Sequence, residues 1–489
     1  MTNIPNSWNF DNSYAKLSSK LFSHILPTPV IEPKIVLFND KLLSEIGVKL
    51  DFSDKNAMAQ HFAGNEIIPG TSPLAQAYAG HQFGHFNKLG DGRAILLGEH
   101  ITPQNNRIDI QLKGAGPTSY SRNGDGRATL RAMLREYLMS EAMHGLGIPS
   151  SRSLAVVGSG EKVFREQIHE GAILTRIASS HIRVGTFEYI RNFLSQEELQ
   201  NFSKYVIDRH YPELESAENP ALELLRSVMS RQIDLVVDWM RVGFIHGVLN
   251  TDNVSIAGET FDYGPCAFMN AYSPDTVFSS IDTNGRYSFG NQAEITHWNM
   301  VRFAEALLPL LHEDTAQAIE LAKSVLNTYA TLFDQKWTNM MGRKLGFETL
   351  PQNDALKNLI HELLDWMEEN RADYTLTFLE FLKQRDHLTG MYNQASFLKL
   401  YDKWMELLFE CGNTIQMAHS IMKVNNPYFI PRNHLLEEAL DGVCLNDDFK
   451  VFNEILEVMS SPYTENKMFN HLKNGPVNGD GEYKTYCGT

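Results

Sequence analysis

The residues best suited to chemistry lie in one short stretch near the middle of the chain. The sequence FIHGVLNTDN runs from 244 to 253, and FDYG follows at 261 to 264. Asn253 and Asp262 offer the oxygen ligands that a hard divalent ion such as Mg²⁺ prefers. Asp252, next to Asn253, has the right chemistry to accept the proton of an attacking hydroxyl group. The stretch therefore predicts a metal-dependent reaction in which phosphate oxygens supply further metal ligands.

Protein kinases carry a similar pair of motifs, HRDLxxxN followed by DFG. Here Asn253 also lies seven residues after His246, and Asp262 begins DYG in place of DFG. The kinase catalytic Asp lies two residues after the His, where this chain has Val248, which accepts no proton. The pattern leaves two interpretations open. The chain is either a dead nucleotide-binding relative of kinases or an enzyme whose base has moved and whose reaction has changed.

Two charged residues upstream favour the same comparison. Lys113 lies in the apolar strand pattern of residues 107–114, and Glu136 follows on a predicted helix. A strand lysine paired with a helix glutamate orients nucleotide phosphates in kinases. Gly90 and Gly92 would let backbone amides approach phosphates, although a plain hairpin turn is the simpler explanation of that pattern taken alone.

Basic residues gather in segment 111–136, although the formal net charge of the chain is −16. The segment holds Lys113, Arg122, Arg127, Arg131 and Arg135 against two acids, Asp125 and Glu136. Such a local reversal of charge predicts an anion site. Further along, Arg176 and Arg183 could form a bidentate phosphate clamp, or they could be two surface arginines.

The elements that must position these residues divide the chain into two parts. Short strand patterns (93–101, 107–114 and 151–160) surround one helix whose apolar stripe begins at Leu130. From about residue 195 the pattern is helical, and Ser195 with Glu198 forms a capping box. Helices are predicted over 221–243, 297–312, 314–347, 353–385, 395–411, 414–423 and 447–460, with one strand-rich insert at 253–265. The predicted fold class is α+β: a β-rich N-lobe with one key helix and a large, mainly α-helical C-lobe.

Composition excludes several classes of protein. With 59 acidic against 43 basic residues in 489, the chain is a poor general ligand for nucleic acid or an anionic membrane. Four widely spaced cysteines form neither a disulfide framework nor a Cys-based zinc site. No apolar run is long enough to span a membrane, and the N-terminus lacks the features of a signal peptide. We therefore expect a cytoplasmic protein.

Four long strings make a more specific match. They are GHQFGHFNKLGDGRA (80–94), QLKGAGPTSYSRNGDGRATLRAMLREYLMSEAM (111–143), TRIASSHIRVGTFE (175–188) and HGVLNTDNVSIAGETFDYGP (246–265). Together they resemble the selenoprotein O family, the YdiU-like protein adenylyltransferases that are often called pseudokinases. The resemblance is continuous over about 60–270, looser through the helical remainder, and returns at the tail.

The resemblance implies a protein-kinase-like, two-lobed fold that transfers AMP from ATP to Ser, Thr or Tyr hydroxyls of proteins. Pyrophosphate would leave, and ATP would bind flipped relative to kinases. We predict four segments: an N-terminal extension packing on the lobes (1–60), a nucleotide-binding N-lobe (61–190), a helical C-lobe with catalytic and metal-binding loops (191–473), and a polar, Gly-rich and flexible tail containing Cys487 (474–489).

The resemblance further implies a role for each site residue. Asp252 is the proton acceptor, and Asn253 and Asp262 bind Mg²⁺ or Mn²⁺. The nucleotide is contacted by Gly90, Gly92, Arg93, Lys113, Asp125, Gly126, Arg176, Arg183 and Asp262, with Glu136 paired to Lys113 and with Arg176 and Arg183 at the γ-phosphate. A Cys266–Cys487 disulfide would gate the site and make thiol-redox proteins partners; a free tail thiol beside a buried Cys266 is the alternative.

Other functions stay open at this stage. The enzyme could transfer UMP with Mn²⁺, or it could be a kinase with a shifted base that releases ADP. It could also be a catalytically dead ATP-binding scaffold. The metal ligands Asn253 and Asp262 argue against a scaffold, and Val248 argues against a conventional kinase.

Overall fold

The computed structural model describes residues 7–50, 54–351, 353–476, 479–481 and 483–486. The described strands are β1 Phe22–His24, β2 Lys34–Phe38, β3 Leu74–Gln76, β4 Ala79–Gln82, β5 His85–Lys88, β6 Ala94–Ile101, β7 Arg107–Lys113, β8 Ala128–Thr129, β9 Arg152–Phe164, β10 Ile168–Ala178, β11 Phe244–Ile245 and β12 Ala267–Phe268. The described α-helices are α1 Asp40–Glu45, α2 Lys55–Ala63, α3 Leu130–Gly145, α4 Val184–Phe193, α5 Gln196–His210, α6 Pro220–Val242, α7 Gln292–Leu311, α8 Thr315–Leu326, α9 Tyr329–Lys344, α10 Ala355–Glu369, α11 Tyr374–Glu380, α12 Ala395–Glu410, α13 Ile415–Asn425, α14 Asn433–Asn446 and α15 Lys450–Met459. The predicted α+β architecture, with a β-rich N-lobe and a helical C-lobe, is confirmed.

The N-lobe is built on one antiparallel sheet in the order β1-β3-β6-β7-β10-β9-β2, with β8 paired to β10. Successive side chains of a strand point to opposite faces. On β7, Ile110 and Leu112 face a small apolar core that includes residues of α2. Gln111 and Lys113 therefore face the other side, where α3 packs and the lobes meet.

The C-lobe is organised around α6, whose apolar residues are buried along most of its length. Asn219 caps its N-terminus, and Gly243 ends it in the left-handed conformation with φ of 74°. The chain then enters β11 directly and continues into the loop at 246–253. The end of a buried helix thus fixes where the loop with Asp252 begins.

Three details of the C-lobe differ from the predictions. The pattern over 353–385 contains two helices, α10 and α11, and α11 ends at Glu380. Segment 253–265 is not strand-rich, since it makes only isolated bridges, from Ser255 to Arg183 and from Thr260 to Ser150. Its alternating pattern reflects burial on both sides of a loop rather than a ladder. The pattern over 314–347 is two helices, α8 and α9, which are separated by Asn327 and Thr328.

A buried ionic network joins the lobes. Arg209 of α5 donates to Glu99 of β6 at 2.6 Å and to Asp109 of β7 at 2.7 Å. The Nδ1 atom of His181 lies 3.0 Å from the other oxygen of Asp109, and His181 is fully buried. Burial, together with the nearby charge of Arg176, lowers the pKa of His181 to about 4.

We expect His181 to make the protein acid-sensitive. In the unfolded chain a histidine protonates near pH 6.5, whereas folded His181 stays neutral down to about pH 4. The contribution of neutral His181 to the free energy of unfolding is therefore complete above pH 6.5. It is lost as the pH falls toward 4, and the total loss is about 3 kcal/mol. Melting temperatures between pH 7.5 and 5.0 should fall less steeply for His181→Gln than for wild type. The exposed control His387→Gln should keep the wild-type slope, and parallel curves for His181→Gln would contradict the assignment.

Candidate functional site

Three cations converge on the carboxylate of Asp262. Lys113 Nζ lies 2.7 Å and Arg176 Nη1 2.6 Å from its Oδ1 atom, and Arg183 Nη1 lies 3.6 Å from Oδ2. Glu136 accepts from Lys113 at 2.6 Å and from Arg176 at 3.1 Å. The predicted contact between Lys113 and Glu136 is therefore present. The buried Asp91 also lies within 4.0 Å of Arg183 through its Oδ1 atom, so three cations and three carboxylates meet in this cluster.

The register of the sheet explains why these side chains meet. Leu174 of β10 lies opposite Lys113 of β7, and Arg176 lies opposite Gln111, so Lys113 and Arg176 share one face. Gln111 Oε1 accepts from Arg176 Nε at 3.2 Å, which fixes the guanidinium. Glu136 approaches from α3, which packs against that face.

The backbone at Asp262 is unusual, with φ of 63°, a conformation that Asp tolerates better than most residues. His246 Nε2 lies 3.2 Å from the carbonyl of Phe261 and so ties this segment to the loop at 246–253. Burial acts to raise the pKa of Asp262, but the charges of Arg176, Lys113 and Arg183 outweigh it and hold that pKa well below its usual range. Asp262 therefore stays ionised.

Arg183 links this cluster to the loop that carries Asp252. Its guanidinium lies over the rings of Tyr78, at 4.2 Å, and Phe261, at 4.7 Å. Its Nη1 atom donates to the main-chain carbonyl of Asp252 at 2.9 Å. The side chain is 2% exposed, so these contacts fix its charge at the inner end of the site.

Asp252 is buried, and its Oδ1 atom has no hydrogen-bond partner among the described residues. Its Oδ2 atom makes a long contact of 3.5 Å with Gln82 Nε2. Burial raises the pKa of Asp252 to about 6. The neighbouring Asn253 donates its amide to the Val248 carbonyl at 2.9 Å, which leaves the amide oxygen available to a ligand.

One cleft of about 400 Å³ collects the predicted residues. Its lining includes Gly90, Gly92, Arg93, Lys113, Asp125, Gly126, Arg176, Arg183, Asp252, Asn253 and Asp262. Glu136 lies behind Lys113 and outside the lining. A Cβ atom at Gly90 would lie 2.4 Å from Cγ of Tyr120. The absence of a side chain at Gly90 therefore lets the Tyr120 ring pack against the backbone at this position.

Asn253 and Asp262 are suitable ligands for a metal ion whose coordination shell is completed by a bound nucleotide. Within the described ranges, no group of three or more His, Cys, Asp or Glu residues could hold a metal by itself. Mg²⁺ commonly binds through one or two carboxylates and completes its shell with water and substrate phosphates. An ionised carboxylate and an amide oxygen in one cleft, which Lys113, Arg176 and Arg183 also line, match that pattern.

Comparisons with known proteins decide the family. The model of the family described as protein adenylyltransferase SelO matches residues 6–460. The chain belongs to the SelO family. It is 51% identical over 483 residues to the protein nucleotidyltransferase YdiU of Anoxybacillus flavithermus, covering 99% of both chains. It is 50% identical over 484 residues to the YdiU protein of Halalkalibacterium halodurans, covering 99% of this chain and 98% of that one.

The family makes this SelO protein an enzyme of the nucleotidyltransferase class. Among solved structures, ROP2 from Toxoplasma gondii, described as a virulence factor with a protein-kinase fold and no enzymatic activity, matches 69% of this chain and 87% of its own. The sequence identity is 12% and the TM-score 0.23. No helix in the described part of this SelO chain is long and apolar enough to cross a membrane.

Only some of the basic residues in segment 111–136 line the cleft. Arg122 and Arg127 line the cleft, together with Lys113. Arg131 instead pairs with Asp441 of α14 at 2.5 Å, and Arg135 donates to the carbonyl of Cys266 at 2.6 Å. The prediction that the whole run forms an anion site is wrong for these two arginines, because both side chains pair with residues of the C-lobe.

Several lining residues escaped the sequence analysis. They include Tyr78, Gln82, Tyr120 and Arg165, together with Asp91, which lies inside the LGDGR motif but received no role. Arg165 pairs with Asp125 at 2.8 Å across the cleft mouth. Only Asp91 carried a usable signal, its position between two glycines. The others are brought to the cleft by contacts distant in sequence.

The predicted disulfide finds no support in the described residues. Cys266 is a free, fully buried thiol, and burial raises its pKa to about 11. Cys487 lies outside the described residues. In the described part of the tail, Thr485 Oγ1 donates to the carbonyl of Pro265 at 2.7 Å. The pairing itself stays a prediction.

Proposed function

We propose that this SelO protein transfers AMP from ATP to Ser, Thr or Tyr hydroxyl groups of other proteins and releases pyrophosphate. The observation that carries the proposal is the set of buried cations at the inner end of the cleft, Lys113, Arg176 and Arg183, beside the buried carboxylate of Asp252. The YdiU relatives, named protein nucleotidyltransferases, support both the nucleotidyl group and a protein acceptor.

The distribution of charge supports a flipped nucleotide. Arg176 and Arg183 are each 2% exposed, and Lys113 is 6% exposed, so three cations line the interior. The most negative part of ATP, its β- and γ-phosphates, is stabilised where buried cations are preorganised. The triphosphate would then enter first and leave the α-phosphate nearer the cleft mouth, where an acceptor protein can reach it.

The proposed step uses Asp252 as the base. The hydroxyl oxygen of the acceptor attacks the α-phosphorus while its proton passes to the carboxylate of Asp252, which lines the cleft. A bond forms between that oxygen and Pα, and the bond from Pα to the bridging oxygen of Pβ breaks. Pyrophosphate leaves toward Arg176 and Arg183. Mg²⁺ or Mn²⁺ held by Asn253 and Asp262 would neutralise phosphate charge and polarise the phosphoryl oxygens.

Isotope position tests the proposal. The protein is incubated with an acceptor protein and with ATP labelled at either the α- or the γ-phosphate. We expect α-label on the acceptor and γ-label in pyrophosphate. Transfer of γ-label to the acceptor would replace the proposal with a kinase reaction. Nucleotide binding with neither label transferred would replace it with a scaffold, and parallel reactions with labelled UTP and Mn²⁺ would show whether UMP is preferred.

Replacing Arg176 should weaken ATP binding selectively. We expect Arg176→Gln to raise the Kd for ATP by about 10- to 100-fold, since a charge-assisted contact contributes about 1.5–3 kcal/mol. The Kd for AMP should change by less than about threefold, because a flipped AMP does not reach the inner cations. Calorimetric titration with both nucleotides measures the difference. Equal weakening for AMP and ATP would contradict the flipped orientation.

A further inference from the structure

Consecutive residues of the β4–β5 hairpin contact consecutive residues of the 246–253 loop, which carries Asp252. The backbone N–H of His81 donates to Thr251 Oγ1 at 2.8 Å, and that of Phe83 donates to Asn250 Oδ1 at 3.1 Å. Between them, Gln82 makes the 3.5 Å contact with the Asp252 carboxylate. Three consecutive hairpin residues thus engage three consecutive loop residues.

The approach of the two backbones is unusually close. At Gly80, an added Cβ would lie 2.4 Å from Asp252 Oδ1, and at Gly185, at the start of α4, it would lie 2.0 Å from the Ala79 carbonyl. Side chains of any size at these positions would force the segments apart. Hairpin, loop and α4 therefore form one tightly packed unit around Asp252.

A short side-chain contact ties the hairpin to α4. His81 Nδ1 lies 2.6 Å from Glu188 Oε1, and Glu188 is 3% exposed. The ring of His81 also packs edge-on against Trp298 with centroids 5.4 Å apart. His81 and Glu188 do not line the cleft. Because a buried carboxylate is costly without a partner, the pair resists separation and holds the hairpin in place.

We propose that the β4–β5 hairpin is a positioning element of the reaction, fastened by the His81–Glu188 pair. It holds the loop so that the Asp252 carboxylate stays at the cleft, where the acceptor hydroxyl would bind. The proposal rests on the proposed role of Asp252 as base. Loss of the pair would let the carboxylate move, and a displacement of about 1 Å at a reacting group costs about 10²-fold in rate.

The test combines single and double variants of the full chain. We expect Glu188→Ala to lower kcat for AMP transfer by about 10- to 100-fold while the Kd for ATP stays within about twofold. Glu188→Gln, which can still accept from His81, should recover most of the rate. In an Asp252→Asn background, Glu188→Ala should cause little further loss, because both changes act on the same group.

The outcomes separate the two proposals. Absence of AMP transfer by the wild-type protein would overturn the proposed function itself. Wild-type transfer with an unchanged kcat in Glu188→Ala, or full additivity with Asp252→Asn, would overturn the positioning role alone. If Glu188→Ala fails to fold, His81→Asn removes the same pair from its more exposed side, and the same kcat loss with unchanged ATP binding is expected.

Discussion

Asp262→Asn is expected to abolish metal-dependent nucleotide binding and to lower transfer by at least about 10³-fold, since a metal contributes several kcal/mol of charge stabilisation. Asn keeps the shape of the side chain and tolerates the φ of 63° at this position. It removes the charge on which Lys113, Arg176 and Arg183 converge. Those cations would then repel the metal while still attracting phosphate.

Binding of a fluorescent ATP analogue at increasing Mg²⁺ or Mn²⁺ measures this effect. The affinity of the variant for the analogue should not change with metal concentration, whereas the affinity of the wild type should increase as metal is added. Asp402→Asn, an exposed substitution on α12 at the pair with Arg385, serves as the matched control and should behave as wild type. An unchanged metal response in Asp262→Asn would remove Asp262 from the metal site.

Asp252→Asn is expected to spare ATP binding and to lower the transfer rate by about 10²–10⁴-fold, the range for loss of a general base. The substitution is close to isosteric, so the contacts of the loop with Arg183 and the hairpin are kept. The amide cannot accept the hydroxyl proton. Binding and rate should therefore separate in this variant, unlike in Asp262→Asn.

Single-turnover transfer with ATP prebound isolates the chemical step. The exposed substitution Asp234→Asn, at the pair with Lys336, provides the same acid-to-amide change away from the cleft and should keep the wild-type rate. Full activity in Asp252→Asn would show that another group takes the proton, and the base assignment would be wrong.

Local patterns predicted the elements that carry the key side chains. The apolar stripe from Leu130 gave α3, and the capping box of Ser195 and Glu198 begins α5 as expected. The strand pattern ending at Lys113 gave β7. These signals are strong because period and capping chemistry are local properties of the chain.

Long-range contacts escaped prediction from single segments. The 253–265 pattern reads as strands, yet Val254 and Ile256 bond to residues 184 and 182, across a loop rather than along a ladder. Segment 1–60 contributes β1 and β2 to the N-lobe sheet, which nothing in its composition indicates. The hydrogen bond from the backbone N–H of His81 to Thr251 likewise depends on tertiary packing. The resemblance to a family, rather than any single pattern, brought Arg176 and Asp262 into one predicted site.

Intact-mass spectrometry of an acceptor protein, after incubation with this SelO protein, ATP and Mg²⁺, tests the central claim most directly. AMP transfer predicts a mass gain equal to one AMP residue, with none in the presence of Asp252→Asn on the same timescale. Reduction of the enzyme beforehand keeps Cys266 and Cys487 as thiols. A gain equal to one phosphate would contradict the account and show that the nucleotide is attacked at its γ-phosphate.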